Sequence, residues 1–165
     1  MAPKSPPMTE EYRMSVRGLR RLHVLFVQGL DDGEEGDAIR DELELPWHRM
    51  TKAEQDRIRV LSADLYTIAD PPHAVRVMTP EAEEKLSEVL AARDSRDWDL
   101  ALHLLRTWGE YLHPAELAAL RGQIWLEAGD AETARLFTEH AVALDPAMKD
   151  VDATSFLPHT VPGRS

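Results

Sequence analysis

The stretch "AELAALRGQIWLEAGDAETARLFTEHAVALDPA" (residues 115–147) decides how the rest of the chain is read. Two runs with apolar residues at three- and four-residue steps flank Gly129-Asp130, and the second run closes on Asp145-Pro146. So short a break makes the two runs antiparallel helices. Helices approach closely only where side chains are small, so Gly122 is expected to face Ala134. Ala134, Phe137, Ala141 and Leu144 then form one apolar stripe on the second helix.

On these residues the stretch resembles a tetratricopeptide repeat, a family whose helix–turn–helix units stack into a superhelix with a concave ligand groove. Gly122 holds the small position of the first helix and Trp125 the large aromatic one. Ala134 and Ala141 are the small residues of the second helix, and Pro146 ends the unit. The resemblance implies that Trp125 fills the space between one unit and the next. Ala118, Arg121 and Thr138 depart from the family's Trp, Leu and Phe, with Phe137 one residue away from the last of these.

A more degenerate unit precedes it. "RDWDLALHLLRTWGEYLHP" (96–114) supplies an Asp97-Trp98 turn, Ala101 in the small position, Leu105 in the large one, and Pro114. Its partner helix, "PEAEEKLSEVLAARDS" (80–95), carries Leu86, Val89 and Leu90 but no Gly or aromatic. Two tetratricopeptide-like units are therefore expected over 80–146.

The N-terminal half gives no comparable match. Residues 1–8, with three prolines, read as a flexible arm. A helix is expected from about Thr9 to Gln28, with Tyr12, Val16, Leu19, Phe26 and Leu30 near helical spacing. The acidic segment 31–37 interrupts it. A short helix, "EEGDAIRDELEL", should then stop before Pro46, because proline pushes the preceding residue out of the helical region. Thr51 and Glu54 form a capping box ahead of Ile58, Leu61, Leu65 and Ile68. The expected organisation is an all-α chain: an N-terminal helical portion over 9–69, a linker over 70–79, the repeat pair, and a polar tail over 147–165. Together they would make one compact domain, the N-terminal helices capping the first unit.

Composition narrows the function. The chain has 165 residues and no cysteine, which excludes disulfides, thiolate zinc sites and a cysteine nucleophile. Thirty acidic against nineteen basic side chains give a formal charge of −11, which repels nucleic-acid phosphates and acidic membrane leaflets. No apolar run of signal or membrane type stands in the sequence, so a cytoplasmic location is expected. Fifteen Arg against four Lys fit a GC-rich bacterial source.

Chemistry-bearing patterns are sparse. No His-x3-His or Glu-x-x-His arrangement stands on one helix, and His23 reads as a core histidine. Glu34, Glu35, Asp37, Asp41 and Glu42 read as acids complementing a helix N-terminus. Neither a phosphate-cradling loop nor a nucleophile elbow is present. No catalytic residue, metal or cofactor is expected. Trp98 and Trp125 read as packing residues, leaving one of Trp108, at a helix end, and Trp47, in a loop, as a contact anchor.

The expected function is protein–protein interaction, in an adaptor or chaperone-like role. In the family, ligands lie against the first helices of the units. By resemblance, the partner-binding groove comprises Glu84, Ser87, Ala91, Glu116, Ala119, Gln123, Leu126 and Glu127. With no base among them, the groove should take a basic protein or peptide segment, and self-association is left open. Two alternatives stand beside this: a secretion-system chaperone, and an enzyme or small-ligand binder with its site in the N-terminal helices. A deep pocket on His48, His23 or Arg40 would favour the last.

Overall fold

A computed structural model describes residues 9–158. The expected arm over 1–8 and the end of the tail, His159 included, lie outside the described residues. Those described form seven α-helices: α1 (Glu10–Val27), α2 (Glu34–Arg49), α3 (Lys52–Thr67), α4 (Pro80–Asp94), α5 (Trp98–Trp108), α6 (Pro114–Glu127) and α7 (Ala131–Leu144). They contain no strand. The protein is all-α.

Local chemistry sets where most helices begin. Thr9, Thr51, Thr79, Asp97 and Asp130 each accept a backbone N–H three residues on, satisfying a donor the helix itself cannot. At α3 the cap is reciprocal, for the Glu54 carboxylate accepts the Thr51 backbone N–H at 3.1 Å. Pro80 and Pro114 open α4 and α6 at positions where a missing N–H costs nothing. Gly129 takes φ +97° in the α6–α7 turn, a left-handed conformation that favours glycine.

The chain divides into two compact units at the Asp70/Pro71 boundary. In the N-terminal unit α1 packs along both α2 and α3. The α1–α2 contact depends on Gly18, where an added Cβ would overlap the Leu43 side chain. Leu22 and Leu25 of α1 bury against Ile39, with Leu43 packed beside them. Tyr12, Val16, Ile58, Leu61 and Leu65 are buried too, whereas Phe26 and Leu30 are exposed. Phe26 instead meets Tyr66 edge to face at 4.7 Å.

One expectation fails in this unit. α2 does not stop before Pro46; it runs through the proline to Arg49, so Trp47 lies on a helix and not in a loop. Tertiary contacts outweigh the local steric rule. Pro46 is buried, and the Met50 N–H bonds back to the Pro46 carbonyl at 3.1 Å. Gln55 Nε2 donates to the Trp47 carbonyl at 2.8 Å, and the Arg59 guanidinium lies 4.9 Å from the Trp47 ring centre.

In the C-terminal unit, α4 pairs with α5 and α6 with α7, and α5 packs against α6. A Cβ on Gly122 would meet Thr138 Oγ1 at 2.9 Å and the Ala134 carbonyl oxygen at 3.2 Å. The α6–α7 crossing is close because Gly122 has no side chain. Trp125 and Phe137 are fully buried and Ala134 and Ala141 nearly so. Burying Phe137 alone contributes roughly 1.5–3 kcal/mol. Pro146 opens a short 3-10 turn over Pro146–Met148. A second such turn, Ala153–Phe156, packs on α6 and buries Ala153 and Leu157 at 2% exposure each.

Candidate functional site

The residues expected to line a groove come from α4 and α6, the first helices of the two hairpins. Glu84 and Ala91 are exposed on α4, with Ser87 half-buried. On α6, Glu116, Ala119, Gln123 and Glu127 are half-buried, and Leu126 is 57% exposed. An exposed leucine amid polar neighbours is available for contact.

A side-chain bridge joins the two helices. Arg93, in the last turn of α4, donates from Nε to Glu127 Oε1 and Oε2 at 2.8 and 2.7 Å. Gln123 Nε2 donates to the same Glu127 Oε1 at 3.2 Å. The hydrogen bond that Arg93 donates to Glu127, and the charge of that carboxylate, hold the Arg93 pKa above its ordinary value, against the opposing effect of burial. Thr154 holds the Asp152 carboxyl below its ordinary range through side-chain and backbone hydrogen bonds, with Arg93 adding to the effect. Arg93 thus sits among α4, α6 and the tail turn.

The bridge alters the charge of the face. Glu127 is matched by Arg93, a base that the expected groove positions did not include. Of the acids at the expected groove positions, Glu84 and Glu116 have no ion-pair partner among the described residues. Glu116 lies toward the other end of α6, in a cleft of about 430 Å³ lined also by Pro72, His113, Leu144, Asp145 and Met148. Glu116 and Glu127 are therefore not brought together; eleven helical residues separate them by roughly 16 Å.

The remaining candidates are dispersed. His48, His103 and His113 are exposed, and His73 Nε2 bonds the Leu112 carbonyl oxygen at 2.8 Å. His23 and His140 are half-buried, and burial pushes both pKa values below the ordinary one, with Arg121 adding to the effect at His140. Among the described residues no three His, Asp or Glu side chains come together as a metal site. Trp98 and Trp125 are buried, whereas Trp47 and Trp108 are half-buried, Trp108 stacking on Tyr111 at 6.1 Å. No described helix is long and apolar enough to cross a membrane.

No protein-family model, curated protein or solved structure matches the chain.

Proposed function

We propose that this protein is a protein–protein interaction module, an adaptor or chaperone-like binder with a tetratricopeptide-like C-terminal unit. Its partner is a segment of polypeptide laid across α4 and α6, with Leu126 as the apolar anchor and Glu84 and Glu116 selecting positive charge. The observation that carries this reading is the Arg93–Glu127 bridge. It links the first helices of two consecutive hairpins through half-buried side chains, leaving Ala91 and Leu126 free for contact. The face's charge complements a basic segment, on a molecule whose formal charge is −11. Some family members clamp a carboxylate with Lys and Asn, and that set is missing from these positions.

The test is affinity capture from native lysate with two variants. Leu126→Asp places a charge at the anchor, and Val77→Asp places one at a site 87% exposed and outside the face. A partner retained by the wild type and by Val77→Asp, and lost with Leu126→Asp, supports the reading. Undiminished capture by Leu126→Asp contradicts it.

A further inference from the structure

The N-terminal unit carries a second feature that the repeat reading does not use. Because α1 packs on both α2 and α3, it floors a cleft of about 560 Å³ between them. Small-molecule sites fall at roughly 300–1,000 Å³ and combine apolar walls with a few polar groups. The apolar part here is Leu19, Leu43, Trp47 and Ile58. On the α3 side the lining runs only from Ile58 to Ser62, about one helical turn. That is too short for the successive anchors of a docked helix.

The polar groups are not equivalent. Arg40 is held by Asp31 at 3.6 Å and Asp37 at 3.4 Å. Arg59 is held by Asp56 at 3.0 Å and lies over Trp47. Arg40 is thus neutralised, whereas Arg59 shares Asp56 with Lys52, which lies 3.3 Å from the same carboxylate. Asp41 and Glu44, three residues apart on α2, line the same cleft and make no hydrogen bond or ion pair among the described residues. The charge left over is negative.

An independent observation comes from the floor. Ser15 lines the cleft at 3% exposure, and its Oγ has no hydrogen-bond partner among the described residues. A buried hydroxyl without a partner is costly, and a polar group of a ligand, donor or acceptor, would satisfy it. The floor hydroxyl marks the cleft as a place for a polar ligand, and the free carboxylates at the rim set its sign, calling for N–H donors on a positive head. We infer that this cleft binds a small organic cation, an ammonium or amidinium group on an apolar aromatic or aliphatic body. The body rests on Trp47, Leu43 and Ile58, and the head meets Asp41 and Glu44.

The test uses the full chain and three probes that share a phenylethyl body: 2-phenylethylammonium, 2-phenylethanol and 3-phenylpropionate, each titrated while amide NMR signals are followed. The ammonium should shift the signals of residues 40–47 and 58–62, with a dissociation constant of about 1 mM or tighter. The alcohol and the carboxylate should bind about tenfold more weakly or not at all. Asp41→Asn with Glu44→Gln changes two exposed side chains; with the dispersion of the spectrum unchanged, it should weaken the ammonium about tenfold. The inference is overturned if the ammonium causes no shifts, if the carboxylate binds as well, or if the shifts map elsewhere. It is equally overturned if a basic helical peptide, and not the ammonium, shifts these signals.

Discussion

Arg93 and Glu127, from α4 and α6, are bonded through Nε to both carboxylate oxygens at 2.8 and 2.7 Å. Their side chains are 31% and 25% exposed, so solvent and salt screen the pair less than one at the rim. Arg93→Ala and Glu127→Ala should each lower stability by about 1 kcal/mol, and the double variant by little more than either alone. Urea denaturation of the four proteins checks this. Strictly additive losses would mean that the pair does not couple the helices.

At Gly122 the space itself is the constraint. Gly122→Leu must displace the α7 backbone at Ala134 as well as the Thr138 side chain, because a Cβ alone would lie 3.2 Å from the Ala134 oxygen. Overpacking of this kind costs roughly 1–3 kcal/mol. The denaturation midpoint should fall accordingly, and an unchanged midpoint would contradict the close crossing of α6 and α7.

Glu54 ties stability to pH. Burial raises its pKa, but hydrogen bonds from Thr9 and Thr51 outweigh this and hold the carboxyl below its ordinary range. The unfolded chain then takes up the proton at higher pH than the fold does. Stability from Glu54 is present above the ordinary value of about 4.3 and is lost as pH falls toward the lowered one. Glu54→Gln should cost roughly 1–3 kcal/mol at neutral pH, a difference that shrinks below about pH 4. A difference that is constant from pH 7 to pH 3 would refute the assignment.

Leu157 fastens the tail turn. Phe156-Leu157-Pro158 is the apolar cluster of an otherwise polar segment, and Leu157 is buried at 2% exposure. Leu157→Ala should cost about 2–5 kcal/mol, read as a lower melting temperature. A melting temperature equal to that of the wild type would mean the turn adds nothing to the unit.

What was legible in the sequence follows from range. Thr51 and Glu54 are three residues apart, so their reciprocal cap could be read directly, as could the helix from Pro80 and the turn at Gly129-Asp130. The burial of Phe137 and Ala141 followed from helical periodicity, and that of Trp125 from the resemblance to the repeat. Pro46 misled because the rule applied to it is local, whereas Gln55 and Arg59 hold the last turn of α2 from another helix. That error hid the cleft, since only a helix running through Pro46 sets Trp47 opposite Arg59. Arg93 was missed for the same reason. Its partner is 34 residues away, and no periodicity reports such a pairing.

The central claim, that a basic partner segment lies across α4 and α6, is tested most directly by calorimetric titration of the captured partner. The titration is made at low and at physiological salt, with wild type, Leu126→Asp and the double variant Glu84→Lys with Glu116→Lys. Attraction by exposed carboxylates is screened beyond about 8–10 Å at physiological salt. The account predicts weaker binding as salt rises, and a loss of about tenfold or more in each variant. Affinity indifferent to salt and unchanged in both variants would contradict it.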